Sequence, residues 1–98
     1  MNKKIYIAGK VSGLPYEETL LKFTSYHLEL MNQGHLPVVP LHLCNKDDAW
    51  HIAMRKCIAE LCTCDEIHLL PDWRDSPGAM MEHQLATQLG IKIIYCKK

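Results

Sequence analysis

Four short apolar stretches, spaced along the whole chain and separated by turn signals, restrict its fold more than any other feature. They are "KIYIA" (Lys4 to Ala8), "LPVVP" (Leu36 to Pro40), "EIHLLP" (Glu66 to Pro71) and "IKIIYC" (Ile91 to Cys96). Their length and their β-branched and aromatic content mark them as strands. The segments between them have helical periodicity. From about Tyr16 to Asn32, apolar residues recur at Leu20, Phe23, Leu28, Leu30 and Met31, and Gly34 stands where a helix end favours a left-handed residue. After the loop "LHLCNKDD", Asp47 or Asp48 is placed to cap a second helix whose buried face is Trp50, Met54, Cys57, Ile58 and Leu61. A third helix takes Ser76 as N-cap and Pro77 as its first residue, runs to about Leu89 and stops at Gly90.

Regular alternation of strand and helix predicts an α/β fold: a parallel sheet of about four strands with helices on both faces, three layers in all. Right-handed crossovers restrict the topology, and the commonest solution has strand order 2-1-3-4. The order reverses between the first and third strands, and ligands bind at such a switch point, outside the carboxyl ends of the strands. Two loops are thereby nominated, Gly9 to Gly13 and Pro71 to Ser76.

At 98 residues the chain is expected to form one domain, residues 1–98, with a modest core that a dimer would help to cover. The formal net charge is zero and there is no basic block, which argues against binding a nucleic-acid polymer. No apolar run approaches 18 residues, so no membrane span is expected. "MNKK" leads straight into a strand without the apolar region of a secretory signal, so a cytoplasmic protein is expected. The five cysteines, an odd number, read as free thiols. Cys57, Cys62 and Cys64 lack paired C-x-x-C spacing, so buried inert thiols are expected rather than a metal site. No cofactor is called for.

The chemistry concentrates in "DWRDSPGAMMEHQLA", Asp72 to Ala86. The free N–H groups of a helix start carry partial positive charge, so Ser76, Gly78 and Ala79 form a seat for a phosphate, or simply an ordinary capped helix. Glu82 lies one turn further in. Its helix neighbours Gly78, Ala79 and Ala86 are very small, which leaves room for a ligand or serves close packing. A helical glutamate is usually a surface residue, and two things argue otherwise here, the switch-point position and the room those small neighbours leave. "GKVSGLP" is not a phosphate-binding P-loop, since no G-K-[ST] is present, but its backbone can still wrap a sugar or phosphate. Tyr6, on the first strand, either reaches the switch point or packs in the core. Trp73 is placed to cover a ligand or a partner subunit, and Trp50 is expected in the core. His83 should point away from Glu82, being about 100° round the helix. Asp72 and Asp75 lie at the ligand end of the sheet and Asp65 at the other.

These residues resemble a known family. "IYIAGKVSG", "GHLPVVP" and "CDEIHLLPDWRDSPGAMMEHQLA" resemble the nucleoside 2-deoxyribosyltransferase-like superfamily. Its nearest branch is a small domain of unknown function, frequent in phages and bacteria, that reads Y-I-[AS]-G-x-[IV]-[ST]-G and then C-D-x-I-x-L-L-P-x-W-x-x-S-x-G-A-x-x-E-x-x-x-A. The resemblance implies a Rossmann-like, flavodoxin-type sheet and a homo-oligomer with shared sites. It also implies a glutamate nucleophile, here Glu82, steadied by a strand-one tyrosine, here Tyr6. In the monophosphate-cleaving relatives the Ser and Gly of the motif hold the 5′-phosphate; here they are Ser76 and Gly78. Two departures stand out. The family's aspartate on the helix before strand three, which assists the leaving base, is Cys57 here. The Ser and Arg of the first loop are Lys10 and Ser12.

The expected function is therefore N-glycosidase or 2-deoxyribosyltransferase chemistry on a nucleoside or nucleotide. Glu82 is the nucleophile and Tyr6 orients it. Gly9, Lys10, Ser12, Gly13, Trp73, Ser76 and Gly78 hold the substrate, and Asp72 or Asp75 is the acid. The alternatives are a non-catalytic nucleotide-binding module on the same scaffold and a purely structural dimer.

Overall fold

A computed structural model describes residues 2–97 of the chain. Strands β1 (Lys4–Ala8), β2 (Leu36–Val38), β3 (Glu66–Leu69) and β4 (Lys92–Tyr95) form one parallel sheet in the order β2-β1-β3-β4. Helices α1 (Tyr16–Asn32), α2 (Pro40–Leu43), α3 (Trp50–Leu61) and α4 (Pro77–Leu89) connect them. The expected α/β architecture and strand order are those observed. The two central strands are registered with Tyr6 beside Ile67 and Ala8 beside Leu69. Both are almost wholly buried, whereas the edge strands β2 and β4 are partly exposed.

Alternation along β1 and β3 divides the core in two. On one face, Ile5 and Ile7 pack with Phe23 and Leu30 of α1 and with Val39 and Leu70. On the other, Tyr6, Ala8, Ile67 and Leu69 pack with Cys57 and Leu61 of α3 and Ala79 and Ala86 of α4. A polar chain crosses the first face. Glu66 bonds both Lys3 Nζ (2.8 Å) and His68 Nε2 (2.8 Å), and His68 Nδ1 meets the Tyr26 hydroxyl at 2.6 Å. Lys3 and then His68 hold the buried Glu66 carboxyl down at about 2.

The helix ends follow the sequence closely. Ser76 Oγ accepts the Ala79 N–H at 3.1 Å, Pro77 is the first helical residue, and Gly90 closes α4 at φ +74°. Gly34 likewise follows α1 at φ +86°. Four details differ from expectation. Residues 40–43 form a short helix rather than a loop, with Pro40 in the first-turn position where its missing N–H costs nothing. Strands two, three and four are shorter than their apolar runs. Asp48 does not cap α3; it accepts the Asn45 N–H and pairs with Lys56 Nζ at 2.8 Å. Trp50 is not in the core but 48% exposed.

Phe23 is fully buried between α1 and the sheet. Phe23→Ala is expected to cost about 3–5 kcal/mol, read as a lower urea midpoint with an unchanged slope.

Candidate active site

The loop after β1 and the loop after β3 come together at the carboxyl end of the sheet, and a glycine permits it. A Cβ on Gly9 would stand 3.0 Å from Leu70 Cδ1 and 3.1 Å from Asp72 Oδ1. Asp72 is the clasp between the loops. Its Oδ1 accepts the Lys10 N–H at 3.0 Å, and its Oδ2 pairs with Lys22 Nζ at 2.6 Å. Lys22 Nζ also donates to the Lys10 carbonyl at 2.9 Å. Burial pushes the Asp72 carboxyl up, but Lys22 and the Lys10 N–H outweigh it and leave the group below its ordinary value.

Beyond this clasp, a cavity of about 440 Å³ opens between the β1 loop, the α2–α3 segment and the start of α4. Its lining includes small or polar residues, Gly9, Ser12, Ser76 and Gly78. It also includes the apolar Leu41, Trp50, Ala53 and Met54. Gly78 belongs to both the cavity and the packing, since a Cβ there would lie 2.9 Å from Met54 Sδ. The small residues around Glu82 thus serve helix packing as well as space.

Glu82 lines the cavity and is only 4% exposed. The Tyr6 hydroxyl, brought across by β1, donates to its Oε2 at 2.5 Å. Oε1 has no protein partner among the described residues, yet it is not one of their sealed, unsatisfied atoms. It is therefore the oxygen free to meet a ligand. Burial disfavours the charged carboxylate, the Tyr6 hydrogen bond partly offsets this, and the result is a carboxyl raised to about 7. Burial, followed by the Glu82 charge, pushes the Tyr6 phenol well above its usual range, so Tyr6 is a donor and not a base.

Gly9, Ser12, Ser76, Gly78 and Glu82 gather around the cavity, with Tyr6 behind Glu82. Lys10, Gly13, Trp73, Asp72 and Asp75 do not line it. The acid role expected of Asp72 is corrected by its ion pair with Lys22, and that of Asp75 by its exposed position in the turn Trp73–Asp75. Gly13 supplies a positive φ of +81° in an exposed turn. Trp73 faces the other way. Its ring stacks at 4.4 Å on His83, which turns from Glu82 toward the Tyr95 hydroxyl. Asp65 lies at the far end of the sheet, accepting the Lys4 N–H at 2.9 Å.

Several cavity residues had no sequence signal of their own. Trp50 and Met54 read as core, and Tyr16, Lys46 and Asp48 as ordinary helix-end or loop residues. Lys46 lines the cavity and holds its Nζ 4.4 Å over the Tyr16 ring. Asp48 is the one carboxylate besides Glu82 in the lining, and Lys56 keeps it below its ordinary pKa. Cys57 is buried, and that burial pushes its thiol to about 12. Among the described residues no three His, Cys, Asp or Glu side chains gather as a metal-binding cluster, and no helix is long and apolar enough to cross a membrane.

A doubly wound parallel sheet with a buried carboxyl at its switch point defines the class of this protein. Within it, the chain belongs to the family described as Domain of unknown function (DUF4406), which matches residues 3–95. No curated protein matches it. Solved structures do. A 2-deoxyribosyltransferase from the psychrotolerant bacterium Bacillus psychrosaccharolyticus is 16% identical with a TM-score of 0.72, over 94% of this chain and 70% of that one. A 2-deoxyribosyltransferase from Leishmania mexicana is 21% identical with a TM-score of 0.75, over 95% of this chain and 63% of that one. The fold is that of these proteins, and the chain spans about two thirds of their length.

The raised Glu82 carboxyl has a stability consequence. The unfolded chain releases this proton near 4.5 and the folded chain near 7. Between those values the native state binds more protons, so Glu82 erodes stability as pH rises through the interval. Glu82→Gln, whose amide oxygen can still accept from Tyr6, is expected to melt higher than the parent above pH 7 and nearly level with it at pH 4.5. Thermal melts across this range test it.

Proposed function

We propose that this protein binds a nucleoside or nucleotide and cleaves its N-glycosidic bond, with Glu82 as nucleophile. One observation carries the reading: a carboxyl, 4% exposed, stands at the wall of a cavity of about 440 Å³ with one oxygen held by Tyr6 and the other free. An ordinary structural carboxylate would have both oxygens paired or in open water. The size suits a small molecule. The mixed lining suits such a ligand, with Ser12 and Ser76 as partners for a sugar or phosphate and Trp50 and Met54 as apolar partners for a base. Lys46 supplies a positive charge at the lining, a role the sequence had suggested for Lys10.

In the reaction, the free oxygen of ionised Glu82 attacks the anomeric carbon as the bond to the base breaks, forming a glycosyl-enzyme. Water or a second base then releases the sugar, giving hydrolysis or transfer. The Tyr6 hydrogen bond fixes the attack direction. The fold shared with 2-deoxyribosyltransferases supports this reading. A homo-oligomer is part of it, because exposed Met80, Met81 and Tyr95 leave an apolar surface on α4 and β4.

A second reading, a binding module without catalysis, is favoured by one observation. The leaving base has no free acid: the other lining carboxylate, Asp48, is tied to Lys56, and the thiol of Cys57 holds its proton up to about 12.

Base release from a panel of deoxyribo- and ribonucleoside 5′-monophosphates, with and without an acceptor base, separates the two. Catalysis is expected to release free base, to fall at least 100-fold in Glu82→Ala, and to leave a 2-fluoro-sugar bound covalently to Glu82. Thermal stabilisation by a nucleotide without release from any member would instead establish the binding module. Since the ionised carboxylate is the nucleophile, kcat/KM is expected to rise with pH to a plateau above about 7. A profile flat from pH 5.5 to 8.5 would count against Glu82 in this role.

A further inference from the structure

Two of the five thiols meet. Cys44 Sγ and Cys57 Sγ are 3.6 Å apart, and both residues line the cavity. Cys62, Cys64 and Cys96 have no sulfur partner of this kind among the described residues. Cys57 is anchored on α3 at 5% exposure. Cys44 follows the last turn of the four-residue α2 in extended backbone (φ −125°, ψ 154°) and is half-buried. It begins the segment Asn45 to Ala49 that forms part of the cavity rim. One sulfur is thus fixed, and the other sits on irregular backbone that can follow it.

We propose that Cys44 and Cys57 are a modification site, a thiol pair that closes reversibly to a disulfide and staples the rim segment of the cavity to α3. A disulfide needs sulfurs about 2.05 Å apart, so the existing contact must shorten by about 1.5 Å. The oxidant is a low-molecular-weight disulfide of the glutathione type. Cys44, open to the cavity, reacts first. Its thiol gives up a proton, its sulfur bonds one sulfur of the oxidant, the oxidant's S–S bond breaks, and one small thiol leaves with the proton. Cys57 then gives up its proton and its sulfur bonds Cys44 Sγ. The mixed disulfide breaks and the second small thiol leaves. Two cysteine thiols are oxidised and one disulfide is reduced to two thiols. Burial holds the Cys57 proton tightly, which makes the second step the slow one and faster at higher pH. Any effect of the staple on ligand entry rests on the nucleotide reading above; the staple itself does not.

The test needs no ligand. The intact chain is equilibrated in buffers of stepped reduced and oxidised glutathione, quenched in acid, alkylated, digested and mapped by mass spectrometry. The expected result is loss of two of the five thiols, a peptide cross-linked through Cys44 and Cys57, and full reversal by dithiothreitol. The cross-link should be absent from Cys44→Ser and from Cys57→Ser; Cys44, being half-buried, gives a folded control if Cys57→Ser does not fold. Amide hydrogen exchange across residues 45–50 should slow at least tenfold in the oxidised form. A glutathione adduct on Cys44 that persists at equilibrium without the cross-link, a disulfide to any other cysteine, or unchanged exchange across 45–50 would each overturn the proposal.

Discussion

The site depends on β1 lying directly beside β3. That parallel pairing sets Tyr6 level with Ile67 and sends the two following loops to the same end of the sheet. The chain leaves β1 toward one face and β3 toward the other, so a cleft opens where the paths part. Gly9 lets the loops touch, and Asp72 fastens them through Lys10 and Lys22. With the loops clasped, the start of α4 is fixed against the end of β1, and Tyr6 meets Glu82. The perturbed carboxyl is thus the product of strand order, and no single segment could create it alone.

The sheet and the ends of α1 and α4 were legible because their signals are local. Apolar runs, Ser76-Pro77 and the glycines at 34 and 90 each impose a conformation on their own backbone. Glu82 was legible only through topology combined with the motif around it, since its immediate neighbours argue for packing as much as for a ligand. The rest was illegible for definite reasons. Helical spacing says which face of α3 is apolar, but not that Trp50 in its first turn stands half exposed and lines the cavity. Proximity to the switch point says that Asp72 is near the site, but not that a lysine fifty residues earlier in the chain claims it. Four residues of α2 are too few to show a period. The meeting of Cys44 with Cys57 depends on the fold of the intervening segment.

The two faces of the sheet hold opposite solutions to a buried carboxylate. Glu66 is satisfied by Lys3 and His68 and stays charged far below neutral pH. Glu82 is more deeply enclosed and has a single neutral donor, and its proton is held to about 7. Burial raises the Glu82 carboxyl, while Lys3 and then His68 lower that of Glu66. One carboxylate is spent on holding strand and helix together, and the other is left chemically available.

The hydrogen bond between Tyr6 and Glu82 spans 76 positions of sequence. Until α4 has docked beside β1, Glu82 is an ordinary solvated acid that ionises near 4.5. Its altered acidity therefore works as a certificate of assembly. An emerging or partly unfolded chain carries the same residue without the same acidity, and the group becomes what it is only when the two ends of the polypeptide have found each other.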